Sequence, residues 1–386
     1  MKPLSRRSVL LLSAGALAAA GTAAAHTAVR DHDVPEVRDP MPGAAPSPQD
    51  RLKVKPVSHW TAVFGKSWDF QYRHGLPLSR SADSRDHYDL SYDVDSCVAM
   101  FRATDQRRYL DRALTFTENV VASARPSSSL PKSGFKDRYR GWKAAEEGGD
   151  EVPLYESYFW RYATSLLVAM RDNPGVHGDA GYRARYDRLL AFAEVDVFEK
   201  WDSRGAEDTI YRERTHMAAH WALIALNLSR LTADAGRKDR YTTVTNTIAT
   251  RLRGQLRRNP AESTAYFWSD VWDSAKRPGQ DVGHGNGVIA YVVEARDRGS
   301  AHGGAAWTDA DMAAFGALLT KVVWPPGRTT YATYVDGTGS DNGWFADGFV
   351  KLGRYDPAVQ LRLEKHQVVN DQFAANMALN ARLLRG

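Results

Sequence analysis

The chain of 386 residues holds a single cysteine, Cys97. One thiol excludes an internal disulfide, a cysteine-built zinc site and an iron–sulfur cluster. Glycine (30) and proline (17) are too few for a collagen-like or low-complexity polymer. No Lys/Arg run exceeds a scattered pair such as Arg107-Arg108 or Arg257-Arg258. The formal net charge of +5 owes three units to Lys2, Arg6 and Arg7, so the chain without residues 1–25 carries only +2. A basic face for nucleic acid therefore lacks support. Residues 8–25 are uncharged, but the stretch is too short and too Ala-rich for a membrane span. With 43% apolar and 25% charged residues, the composition is that of a globular protein with a sizeable core.

The first 25 residues read as an export signal. Lys2, Arg6 and Arg7 precede Val9-Leu10-Leu11-Leu12, an Ala/Gly-rich stretch and the small-residue site Ala23-Ala24-Ala25. Ser5-Arg6-Arg7-Ser8-Val9-Leu10 is similar to the twin-arginine signal read by a translocase for folded proteins, an ordinary secretory signal being the alternative. The expectation is a secreted protein with no membrane attachment after signal removal. In that setting Cys97, in an apolar helical stretch, reads as a small buried hydrophobe. Residues 26–56, with six prolines from Pro35 to Pro56, read as an extended linker or arm. Residues 57–386 are then one domain.

In that domain two kinds of helical segment alternate. Segments at 89–103, 153–171, 214–231, 283–295, 342–352 and 371–384 are apolar nearly all round and so buried. Segments at 105–124, 181–200, 239–256, 309–323 and 357–367 are amphipathic and so peripheral. The alternation runs over about six pairs, roughly 45 to 70 residues apart, longer than common solenoid repeats. Near-uniform burial of the first kind favours a closed ring over an open solenoid. The predicted fold is all-α, an (α/α)6 toroid, with an incomplete ring or a seventh pair as variants. Short strands at 264–272 and 329–335 would lie on one rim.

In such a ring the inner helices run in parallel, so their polar first turns gather on one rim. Asp281, Asp341 and Asn370 suit plain N-caps there. Capping does not account for the recurrence of His, Glu, Arg, Tyr and Trp. Glu213, His216 and His220 share one helix face at i, i+3, i+7. His216 and His220 could bind a metal, but no intervening Glu and no further ligands are placed beside them; the other readings are a core histidine and a catalytic wall. Gly283-His284-Gly285-Asn286-Gly287 brings glycines for close ligand approach, a histidine for acid–base work and an amide that can donate to a carboxylate. Tyr291, seven residues beyond His284, falls on its face. Glu156, Tyr158, Trp160 and Arg161 crowd another first turn, and Trp142, Trp268, Trp344 and Arg214 fall near other rim segments. Aromatic faces and Arg forks suit sugar rings and uronate carboxylates.

This set fits β-elimination on a uronic-acid polymer. The proton next to a carboxylate leaves only if donors neutralise that carboxylate, while a His or Tyr takes the proton and another returns one to the leaving oxygen. On Tyr155-Glu156-Ser157-Tyr158-Phe159-Trp160-Arg161-Tyr162, Glu213 to His220, Gly283-His284-Gly285-Asn286 and Asn342-Gly343-Trp344-Phe345-Ala346-Asp347-Gly348, the chain resembles the toroidal polysaccharide lyases, most of all the alginate- and glucuronan-cleaving polysaccharide lyase family 38. The resemblance spans residues 57–386. It implies an endo-acting, metal-independent lyase; the expected partner is an acidic polysaccharide substrate, no cofactor is expected, and a monomer is expected although the sequence does not show the oligomeric state. It implies His220 or His284 as base, a Tyr as acid, and Glu213, Asn286 or an Arg near the carboxylate. The Asn-Asn-His run of another alginate-lyase family is absent, which leaves the choice of base open. The alternatives are a toroidal glycoside hydrolase, using two of Asp281, Asp341, Glu156 and Asp89, and a non-catalytic binder of acidic glycans.

Overall fold

The computed structural model describes residues 53–299, 307–341 and 343–385. All belong to one compact unit that begins at Val34. The predicted signal, most of the predicted arm, and Asn342 lie outside the described residues. Of the described residues 66% are helical, and two short two-stranded sheets lie among them. Twelve helices carry the fold: α1 (Val57–Gly65), α2 (Trp68–Ser79), α3 (Ser84–Thr104), α4 (Arg107–Ser123), α5 (Pro153–Arg171), α6 (Ala180–Phe192), α7 (Thr215–Leu231), α8 (Ala235–Gln255), α9 (Val282–Arg298), α10 (Asp309–Ala317), α11 (Pro357–Leu363) and α12 (Asp371–Leu383). No described helix is long and apolar enough to cross a membrane.

The two expected kinds of helix are present, and burial separates them. In α7 every residue except Met217 and Arg230 is buried. In α4 only Tyr109, Leu110, Ala113, Leu114, Phe116, Thr117 and Val120 are, one stripe at helical spacing. The buried helices pack in sequence order: α3 on α5, α5 on α7, α7 on α9, α9 on the 3₁₀ segment Phe349–Arg354, that segment on α12, and α12 back on α3. The amphipathic helices α4 and α8 lie against α3 and α7, and α11 lies against the 3₁₀ segment.

Boundaries differ from expectation in three places. Residues 57–79 form α1 and α2, outside the helical segments expected from the sequence. α2 contains Pro77 and buries Gln71, Gly75 and Ser79 rather than a hydrophobic stripe. The expected buried helix at 342–352 is only the 3₁₀ turn Phe349–Arg354. Gly343 has φ +74°, outside helical space. The side chain of Asn286 accepts from the Gly348 and Phe349 amides at 2.8 and 3.0 Å and donates to the Trp344 carbonyl at 2.7 Å, taking backbone groups a helix needs. Within the expected strand regions, regular pairing shrinks to β3 (Arg257–Arg258) with β4 (Tyr266–Phe267), while Tyr331 and Tyr334 make isolated bridges to Asp341 and Asp281. The other sheet is β1 (Arg125–Pro126) with β2 (Arg140–Gly141).

The ends of the described chain meet. α1 packs on α12, the Lys55 amide donates to Glu364 Oε1 at 2.7 Å, and Arg385 donates to the Val54 carbonyl at 2.8 Å. Between α3 and α12, Asp95 accepts from Lys351 Nζ (2.8 Å), Gln372 Nε2 (2.9 Å) and Asn376 Nδ2 (3.1 Å), all buried. Near the C-terminal ends of the buried helices, Glu294 meets Arg298 (2.7 Å), Arg102 (3.2 Å) and Arg354 (3.4 Å), and Arg354 also meets Asp297 at 2.5 Å. Cys97 is fully buried and its thiol faces Gln71 at 3.4 Å, the packing role expected of it.

Candidate functional site

The first turns of α3, α5, α7 and α9 and the segment 343–348 bring their polar side chains into mutual contact. Three histidines form one part. His216 and His220 stand one turn apart on α7, rings 6.1 Å apart, and His284, in the first turn of α9, lies 4.4 Å from His216. Asp281 caps α9: it accepts from the His284 amide at 2.9 Å and faces His284 Nδ1 at 2.8 Å. Gly287 lets α9 approach, since a Cβ there would lie 2.8 Å from His220 Nε2. The Nδ1 atoms of His216 and His220 are buried without a protein partner.

The three rings differ in charge. Burial works against protonating His284, but the hydrogen bond and charge of Asp281 win and raise it above the ordinary histidine value. Burial also opposes ionisation of Asp281, yet its bond to His284 and the charge there bring it down to about 2. His216 is held well below the ordinary value by burial and then by the charge of His284; His220 is held there by burial and then by Arg161. Two imidazoles are thus held toward the neutral form beside an Asp281–His284 pair that favours the charged form of its histidine.

Tyrosines form the other part. Tyr158 stands edge-on to His220 at 4.7 Å and lies 3.8 Å from Tyr88. The Tyr92 hydroxyl donates to that of Tyr158 at 3.0 Å, which donates to Asp347 Oδ2 at 3.3 Å. Arg161 donates to the same oxygen at 2.8 Å and covers the Tyr158 ring at 3.9 Å, while the Tyr162 hydroxyl donates to Asp347 Oδ1. Burial and then the Asp347 charge push the Tyr158 hydroxyl well above the ordinary value, so it stays protonated. Trp344 closes the group, edge-on to Tyr92 at 5.9 Å.

Helix geometry decides which expected residues belong here. At about 100° per residue, Tyr158, Arg161 and Tyr162 share one face of α5, and Glu156 and Trp160 share the opposite one. Glu156 is buried on Lys200 (2.7 Å) and Trp201 (2.9 Å), and Trp160 stacks on Phe192 at 5.4 Å, so both face the outer layer. Trp142 is buried with its indole on the Val120 carbonyl at 3.1 Å, and Trp268 is buried beside Phe315. Tyr291 shares the stripe of His284 but sits about 10 Å further along α9; its hydroxyl meets the Thr245 carbonyl on α8 at 3.4 Å, away from the histidines. Asn286 has both amide hydrogens and its oxygen engaged with backbone, so it holds the 344–349 segment rather than presenting donors to a ligand. Glu213 and Arg214 are exposed just ahead of α7, and Arg214 pairs with Asp270.

Four members were not anticipated as site residues: Tyr88, Tyr92, Tyr162 and Asp347. Tyr88 and Tyr92 carry a faint signal, an i, i+4 pair in a polar first turn. Asp347 carries none, because its partners on α5 lie at least 185 residues away in sequence. Among the described residues no three His, Cys, Asp or Glu side chains are grouped to hold a metal ion. Surface recesses of about 360 Å³ beside Glu118 and Arg188, and about 270 Å³ beside Tyr211 and Trp272, are lined by other residues.

The arrangement can supply a neutral imidazole to take a proton, phenols to give one, and a cationic imidazole near the surface to face an anion. No family model, curated protein or solved structure matches this chain.

Proposed function

We propose that the protein is an exported polysaccharide lyase that cleaves a uronic-acid polymer of alginate or glucuronan type by β-elimination, on an (α/α)6 toroid. The return of α12 onto α3 supports the ring reading, since an open solenoid leaves its first and last repeats apart. The twin-arginine-type signal supports export.

One observation carries the activity: neutral His220 lies edge-on to the protonated Tyr158 at 4.7 Å, at the rim where the helix starts meet. His220 is the favoured base, because the bond to Asp281 keeps His284 charged. Tyr158, or Tyr92 through it, is the favoured proton donor to the leaving oxygen. His284 and Arg214 are the cations nearest the rim for the substrate carboxylate, which must be neutralised before its neighbouring proton can leave.

The hydrolase alternative draws less support. It needs two carboxylates roughly 5 to 9.5 Å apart and open to water. Asp281 is bound to His284, Asp89 to Arg85 at 2.7 Å, and Glu156 is buried on Lys200. Incubation with polyglucuronate, polymannuronate and polyguluronate separates the readings. A lyase gives an ultraviolet-absorbing unsaturated end, a hydrolase saturated reducing ends, and a binder neither. Absence of the absorbing product on all three polymers would overturn the lyase reading.

A further inference from the structure

The chain of hydroxyls in the site has a direction, and one residue sets it. A hydroxyl has one hydrogen to donate and two lone pairs, whereas an ionised carboxylate only accepts. Asp347 pairs as a carboxylate with Arg161 at 2.8 Å on Oδ2, with Tyr162 and Gln372 (3.4 Å) on Oδ1. The Tyr158 hydroxyl reaches the same Oδ2 at 3.3 Å and can only donate to it. Its lone pairs are then left for the Tyr92 hydroxyl, 3.0 Å away on the side toward Trp344. Exposure falls along this path: Tyr92 is half-buried, Tyr158 is 8% exposed and Asp347 1%.

We propose that Asp347 is a positioning residue: by taking the hydrogen of Tyr158 in the resting site it fixes the order Tyr92 to Tyr158 to Asp347 and keeps both phenols protonated until the leaving oxygen replaces it as the acceptor from Tyr158. This rests on the lyase reading of the same site. Asp347 itself touches no substrate. It acts through Tyr158, whose other charged or titratable neighbours are Tyr88 and Tyr92 on α3, Arg161 and Tyr162 on α5, and His220 on α7. Asp347 is in turn placed by Asn286, which ties down the Gly348 amide next to it; Gly348 has no room for a Cβ, which would lie 2.1 Å from the Asn286 carbonyl oxygen.

Two variants test the direction. Asp347→Asn removes the acceptor-only group and the charge that holds the proton on Tyr158. Tyr92→Phe removes the donor that would stabilise a Tyr158 phenolate. With 3-fluorotyrosine placed at position 158, fluorine NMR follows its ionisation in the full chain, without reference to activity. The expected result is opposite shifts: ionisation at lower pH than wild type in Asp347→Asn, and at higher pH in Tyr92→Phe. Shifts of the same sign, or no shift in either, overturn the proposal. Should Asp347→Asn not fold, Tyr92→Phe alone decides, an unchanged or lowered titration being fatal. On a polymer the wild type cleaves, Asp347→Asn is expected to lower kcat on the order of 100-fold with KM within about threefold, and to move the alkaline limb of the kcat profile to lower pH. An unchanged limb overturns the proposal by showing a merely structural role. Opposite shifts in a wild type that cleaves no uronan would sink the lyase reading and leave the Asp347–Tyr158 coupling standing.

Discussion

Two buried polar groups occupy opposite ends of the inner helices, and they are built on different rules. At the C-terminal ends, Glu294 and Asp297 meet Arg102, Arg298 and Arg354, and each carboxylate has a cation within 3.4 Å. Glu294 is buried, but the charges of the three arginines outweigh burial and hold its carboxyl well below the ordinary value. At the N-terminal ends neutral imidazoles and phenols stand beside the Arg161–Asp347 and Asp281–His284 pairs, and two ring nitrogens have no protein partner. The first group spends its polarity on holding helices together. The second leaves hydrogen-bonding capacity free, the condition for engaging a substrate. Buried nitrogens without a partner occur in both groups, Arg298 Nη1 and Arg354 Nη2 in the first and the two imidazole Nδ1 atoms in the second, so what separates the site from the brace is that its imidazoles are held toward the neutral form.

The contrast is tested hardest at His220. His220→Gln is expected to lower kcat on the order of 10³-fold, with a smaller loss of stability than Glu294→Gln, because the buried ring pairs with no charge. Near-normal turnover would move the base elsewhere. Glu294→Gln is expected to do the reverse. It strands arginines in a buried setting, at a cost of about 3–5 kcal/mol in urea unfolding, while folded molecules keep their kcat. The same carboxylate sets an acid limit. Its folded value is depressed, so its contribution is present above about pH 4.5 and lost as pH falls below that; wild type should lose stability through that window and Glu294→Gln should lose less.

Asn286 joins the two functions and should show both effects. Asn286→Ala strands the Gly348 and Phe349 amides, for about 2–3 kcal/mol in stability, and by loosening Asp347 it should also lower kcat. A stability loss with kcat untouched would mean that the 343–348 segment does not position the site. The smallest effect belongs to Asp281→Asn. His284 is raised, so its share of the pair is present below about pH 6.5 and fades as pH climbs through its folded value; Asp281 is depressed, so its share is present above about 3.8 and fades as pH falls toward 2. The pair is strongest between those limits, yet the His284 side chain is 39% exposed, and water keeps the contribution below about 1 kcal/mol. Stability curves of the two proteins should separate most near pH 5 and converge as pH climbs past the folded value of His284.

Much of this was legible in sequence where a helix carried its own period. The buried helix at 153–171 was expected with the bounds it has, and His216, His220, His284, Tyr158 and Arg161 come together as their first-turn positions suggested. What failed was rotation about an axis. Glu156 and Trp160 have suitable chemistry but sit about 200° from Tyr158 on the same helix. Asn286 and Tyr291 failed through neighbours, the first captured by the 344–349 backbone and the second by α8. Asp347 was out of reach because its meaning comes from α5, and no local pattern encodes a contact across so much chain.

Asp95 carries a consequence for how the molecule is made. It lies early in the chain, is buried, and finds its partners in Lys351, Gln372 and Asn376, which follow it by 256 to 281 residues. Until those residues emerge from the ribosome, burying Asp95 leaves a charge without a counterpart, so the first helices cannot settle into their final packing on their own. The native setting of Asp95 is thus completed only by residues from the far end of the described chain, which ties the packing of its first helices to that of its last.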